Sequence, residues 1–167
     1  MATGYVQFQP QSALLPISSF PILKRHASSG TGLPEVWILE FANAVSNITF
    51  FQFIVPGNFA SAPHVKIYWM ASTATANECR WEIAFMCASD DADDLDTAAC
   101  DTEIAVDDTA PSAAGEWSVA DATMTSNDSM AAGDVAVIRV ERAGAHANDD
   151  LADVAQMIMV VFEYTTT

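Results

Sequence analysis

Gly133-Asp134-Val135-Ala136-Val137-Ile138-Arg139-Val140-Glu141-Arg142, followed after an Asp-rich turn by Gln156-Met157-Ile158-Met159-Val160-Val161-Phe162-Glu163-Tyr164, decides the fold class. Both runs are rich in β-branched and aromatic residues and the interval between them is polar, so they read as two strands joined by a hairpin or a corner. The same rhythm extends toward the N-terminus, and seven principal strands are expected at 35–41, 47–55, 64–71, 79–88, 117–125, 134–143 and 155–164. Several alternate as half-buried strands do: Val65, Ile67 and Trp69 share one face, and Arg80 and Glu82 oppose Trp81, Ile83 and Phe85. Pro56-Gly57-Asn58, residues 73–77 and Ala143-Gly144 supply turns. No segment longer than ten residues carries a helical period with caps. The expectation is an all-β chain, an antiparallel β-sandwich of jelly-roll type. The interval 89–116 is the least regular part, a loop with one short strand near 102–106.

Residues 1–34 differ from the domain at 35–167. They hold Pro10, Pro16, Pro21 and Pro34, which exclude a helix and an uninterrupted central strand. Tyr5, Val6, Phe8, Leu14, Leu15, Ile17, Phe20, Ile22 and Leu23 make the segment too apolar for a solvated linker. It reads as an extended N-terminal arm that lies either across its own domain or on a neighbouring subunit. Lys24-Arg25-His26 follows, a solvated turn or an anchor for an acidic surface, and Ser28-Ser29-Gly30-Thr31-Gly32 is a flexible break.

At 167 residues the chain is one domain by length and buries roughly two-thirds of its unfolded surface without staples. Cys79, Cys87 and Cys100 form no CxxC pair and point to reduced thiols in a protein folded in a cytoplasm. Cys79 and Cys87 end one strand and lie about 26 Å apart; a Cys87–Cys100 pairing stays open. No secretory signal is expected, and no apolar run approaches the ~20 residues of a membrane-spanning helix. Net charge is −16, from 22 acidic and 6 basic residues, which argues against a nucleic-acid partner because phosphate binding needs clustered Lys and Arg.

Asp90-Asp91-Ala92-Asp93-Asp94-Leu95-Asp96 invites a calcium hypothesis but lacks the sixth-position Gly and twelfth-position Glu of an EF-hand loop, so a solvated loop is preferred. No cofactor is expected. Asp149, Asp150 and Asp153 form a second acidic group that Arg139 or Arg142 on the preceding strand is placed to pair with, as structural ion pairs. His26, His64 and His146 stand apart in no triad or metal motif, and no glycine-rich phosphate loop occurs, so an enzyme is not expected. Phe50 and Phe51 are adjacent and cannot share a strand face, so both sheet faces are covered there or one ring meets a partner. Met157 and Met159, opposite Ile158, Val160 and Phe162, give the last strand the same two-sided apolar character.

The order Gly133-Asp134, a strand with Arg139 and Arg142, a loop with Asp149, Asp150 and Asp153, and a strand ending in Tyr164, with Trp69 and Trp81 on earlier strands, resembles small jelly-roll decoration (cement) proteins of tailed bacteriophage capsids. The resemblance covers residues 35–166. It implies a homotrimer on the outer surface of a virion, made in the host cytoplasm, which binds the major capsid protein of the phage head and stabilises the shell, away from nucleic acid and membrane. Subunit or capsid contacts would then fall on Tyr5, Phe8, Leu14, Leu15, Ile17, Phe20, Lys24 and Arg25. The alternative is a receptor- or carbohydrate-binding head module of a phage tail fibre or appendage, with Trp117 or Phe59 as an exposed aromatic platform.

Overall fold

The two runs that decide the fold class occupy different sheets. A computed structural model describes residues 2–26, 34–73 and 76–167. Its strands are β1 (Thr3–Phe8), β2 (Ile22–His26), β3 (Val36–Phe41), β4 (Ser46–Ile54), β5 (Phe59–Ala71), β6 (Glu78–Ala88), β7 (Ile104–Thr109), β8 (Ser118–Thr123), β9 (Val135–Ala143) and β10 (Ala155–Thr166), with one 3-10 turn at Pro10–Ser12. The first sheet runs β2-β3-β10-β5-β8, with β1 also on β10; the second runs β4-β9-β6-β7. All pairings are antiparallel. β9 lies in one sheet and β10 in the other, so the link between them is a corner that holds the two layers together.

Period-two alternation sends one face of each strand into the space between the sheets. Val65, Ile67 and Trp69 of β5 meet Trp81, Ile83 and Phe85 of β6, with Ile138 and Val140 of β9 and Val160 and Phe162 of β10. Trp69 and Trp81 meet edge to face at 5.9 Å, a preferred aromatic geometry. The Trp69 indole N–H donates to Asp108 Oδ2 at 2.6 Å, satisfying a polar atom taken out of water. A ring of this size, fully buried, contributes about 3–5 kcal/mol against alanine.

The arm is part of the sandwich. β1 pairs with the C-terminal half of β10, β2 pairs with β3, and Leu14 bridges to Phe50. Gly4 permits the first pairing, because a Cβ there would lie 2.4 Å from the Tyr164 ring. Phe8, expected at a subunit or capsid contact, is instead buried against Phe51 and Phe53, since its side chain falls on the inward parity of β1. Phe51 is likewise in the core, and the arm covers the edge beside Phe50. β5 begins five residues earlier than expected, at Phe59. A register shift between Met157 and Met159 changes β10: Met157, Val160 and Phe162 face the core, and Met159 pairs beside the outward Tyr68. The three cysteines are free, so Cys87 and Cys100 are not bonded. The predicted break at 28–32 lies outside the described residues, as does part of the turn at 73–77.

Candidate functional site

Strands that are apolar on both faces leave one apolar face outside the sandwich unless something covers it. The outer face of the six-stranded sheet is such a surface. Tyr68 and Met70 project from β5 on the parity opposite to Trp69, and the β10 irregularity turns Ile158, Met159 and Val161 the same way. Val36 of β3, His26 of β2 and Gln7 of β1 complete one side. Trp117, just before β8, closes the other. Together they line a concavity of about 500 Å³.

Trp117 is the distinctive residue. It is 59 % exposed, yet its ring sits 5.7 Å from the Tyr68 ring at an interplanar angle of 39°. Gly115 sets its approach: its φ of +81° is in the left-handed region, where a side chain would be strained. The two tilted rings form an open aromatic platform with an apolar floor. Farther along the same face the surface becomes polar. Lys66 Nζ donates to Glu163 Oε2 at 2.8 Å and lies 3.8 Å from Asp121, which is 3.0 Å from His64 Nδ1. The Glu163 hydrogen bond raises the Lys66 pKa against the opposing effect of desolvation, so the ammonium stays charged. Nearer β3, the buried Gln156 donates from Nε2 to Glu40, and its Oε1 has no partner among the described residues.

The other residues marked out by the sequence are distributed elsewhere. Phe59 is buried and stacked on Phe162, so Trp117 alone of that pair offers an exposed ring. Tyr5, Leu14, Leu15, Ile17 and Phe20 are exposed along the arm. Lys24 pairs with Glu40, and Arg25 with Glu35 at 2.9 Å. Arg142 is fully buried and uses all five of its N–H donors: two on Asp149, at 3.0 and 2.8 Å, and three on the carbonyls of Phe41, Leu151 and Asp153. Arg139 does not join this loop. Three residues along a strand is an odd number, so it points to the opposite sheet face and pairs with Glu103 and Glu141. Asp150 accepts from the Glu78 backbone N–H and Asp153 from Thr73 Oγ1, so neither makes the expected arginine pair through its side chain.

Acidic groups serve local purposes. In the 90–96 loop Asp93 accepts from the Ser89 N–H and Asp94 from the Asp96 N–H, capping their own turns. Glu82, Glu103 and Glu141 converge on the outer face of the four-stranded sheet closely enough to suit a cation. Arg80 and Arg139 already pair with all three.

No family model and no curated protein matches the chain by sequence. Solved structures do match by fold. A family 35 carbohydrate-binding module from Clostridium thermocellum superposes with a TM-score of 0.56 at 15 % identity, covering 95 % of this chain and 97 % of that one. The CBM22-2 xylan-binding domain from Paenibacillus barcinonensis gives 0.55 at 9 % identity, covering 96 % and 99 %. A CBM35 from Cellvibrio japonicus gives 0.53 at 8 %, covering 98 % and 95 %. None of these neighbours is a capsid decoration protein. At such identities the likeness is one of architecture: the chain is an all-β, two-sheet antiparallel sandwich, jelly-roll-like, of the kind carbohydrate-binding modules use.

Proposed function

We propose that this chain is a non-catalytic carbohydrate-binding module whose ligand lies on the outer face of the six-stranded sheet. The observation that carries the proposal is Trp117, exposed and set against Tyr68 over an apolar concavity. A pyranose ring presents C–H groups on one face and hydroxyls around its rim. The tilted indole and phenol would take the C–H face. Gln7, His26 and the Lys66–Glu163 pair would meet hydroxyls around it. Sugars offer such mixed surfaces, whereas an apolar small molecule would not use the polar end. With a net charge of −16, and with Asp121 and Glu163 on this face, an anionic glycan is disfavoured, so the ligand class is a neutral polysaccharide. Affinity electrophoresis against a panel of neutral and acidic polysaccharides tests this. Retardation by a neutral polymer, lost in Trp117→Ala, is expected; retardation by none of them would overturn it.

A second reading keeps the chain on a phage particle as a shell-stabilising subunit. It is favoured by the exposed apolar arm residues Leu14, Leu15, Ile17 and Phe20. Mixing the protein with candidate capsids and imaging them separates the two, since a glycan module has no need to bind a shell.

A further inference from the structure

The charged residues leave two long stretches empty, 2–23 and 42–63, and the fold lays one on the other. Residues 14–20 of the arm run along the edge of β4: Leu14 and Phe50 exchange backbone hydrogen bonds of 2.8 and 3.0 Å, and the Ile48 N–H donates to Ser19 O at 2.7 Å. Neither segment carries a charged side chain, on a molecule of net charge −16, and the nearest charges on β9, Arg139 and Glu141, pair with each other. Leu14, Leu15, Ile17 and Phe20 are exposed on this flank, with Val45 and Ile54 at the two ends of β4; Ile17 is 102 % exposed. Isolated surface apolar residues are ordinary, but six along one uncharged flank are a patch.

We infer that this flank is the docking surface for a second copy of the same chain. A different protein that recognised this molecule would gain attraction and faster encounter by carrying positive charge toward its acidic faces. The uncharged flank forgoes that gain. It suits instead a partner as acidic as the chain itself, for which an approach through the acidic surfaces brings like charges together. Backbone edge groups of β4 at Ile48 and Phe50 are already paired with the arm, so association proceeds through side chains and not by strand addition. Lys24 and Arg25, just beyond the flank, are held by Glu40 and Glu35 and bring no unpaired positive charge to the contact. The inference does not depend on the glycan site, which lies on a different face.

Sedimentation velocity of the full chain over a wide concentration range, at low and high salt, tests the inference. Reversible self-association is expected, and it should strengthen as salt screens the mutual repulsion. Ile17→Glu should weaken it about tenfold to a hundredfold without changing the melting temperature, and Leu15→Gln should weaken it in the same direction. Trp117→Ala should associate as the wild type does. A monomer under every condition, association that dissolves as salt rises, or an Ile17→Glu protein that assembles normally would each overturn the inference.

Discussion

The sandwich has two outward sheet faces, and their centres differ: one pairs charges and the other gathers aromatic and apolar side chains. On the four-stranded sheet the outer positions around β7 form a lattice of charge, Arg80 with Glu82 and Asp107 and Arg139 with Glu103 and Glu141, while the β4 side carries Ile48, Phe50, Gln52 and Ile54. Glu82 and Glu141 stand directly opposite each other on β6 and β9, an arrangement that like-charge repulsion would oppose without the flanking arginines. On the six-stranded sheet the corresponding positions carry Tyr68, Met70, Met159 and Val161, with Trp117 above them. The charged part of the first face is paired within itself. The second leaves apolar and aromatic area in contact with water, a cost that a binding surface recovers when it is occupied.

The largest expected effect falls on the corner that joins the sheets carrying those faces. Arg142→Ala would leave Asp149 buried without its charge partner, and the fully buried guanidinium also orders the loop from Asp149 to Asp153. A loss of about 3–5 kcal/mol in chemical denaturation is expected, with both faces disordered together. A loss below 1 kcal/mol would mean that the two layers do not depend on this clamp. Next, Trp117→Ala should weaken polysaccharide binding about 30- to 150-fold, by analogy with aromatic anchors at interfaces, and leave thermal stability unchanged. Arg139→Ala should do the reverse. Removing it exposes the repulsion between Glu141 and Glu82, at a cost of about 1–2 kcal/mol in stability, while polysaccharide affinity stays as in the wild type. If Arg139→Ala abolished binding, the assignment of the two faces would be inverted.

The smallest effect concerns acid. Asp101 accepts from Ser126 Oγ at 2.6 Å and from the backbone N–H groups of Thr102 and Asp128, and these bonds hold its carboxyl below the usual carboxylate range. Asp153 is lowered in the same way by Ser72, Thr73 and the Val154 N–H. A folded pKa below the ordinary value of about 3.9 contributes stability that is present above that value and lost as the pH falls through the folded one. Asp101→Asn should therefore lower the melting temperature at neutrality, where the carboxylate's hydrogen bonds stabilise the fold, and flatten the acid limb, so that variant and wild type converge as the pH falls. An unaltered acid limb would show that these bonds do not stabilise the fold.

The strand pattern was legible because it rests on period two. Val65, Ile67 and Trp69, and Trp81, Ile83 and Phe85, mark the core in the sequence as they do in the structure. The sequence also separates Arg139 from Arg142 by an odd number of steps, which places them on opposite faces and leaves only one to meet the Asp149 loop. The proposed binding face was harder to see. Tyr68, Trp69 and Met70 form one uninterrupted apolar run, whose excess apolar face is the signal, but nothing local says whether an arm, a subunit or a ligand covers it. The turn of Met159 outward depends on an irregularity in β10 that only its pairing with β5 reveals. β1 and β2 were hidden by the prolines between them, which break the chain into short pieces without preventing each piece from pairing at a sheet edge.

The four tryptophan indole N–H resonances provide the most direct test of the binding face. Trp69 and Trp81 are fully buried, Trp37 is exposed on β3, and Trp117 alone sits on the proposed platform. Adding a neutral polysaccharide that retards the protein should shift the Trp117 indole signal and leave those of Trp69 and Trp81 in place. A bound state in which the Trp117 signal does not move would contradict the account.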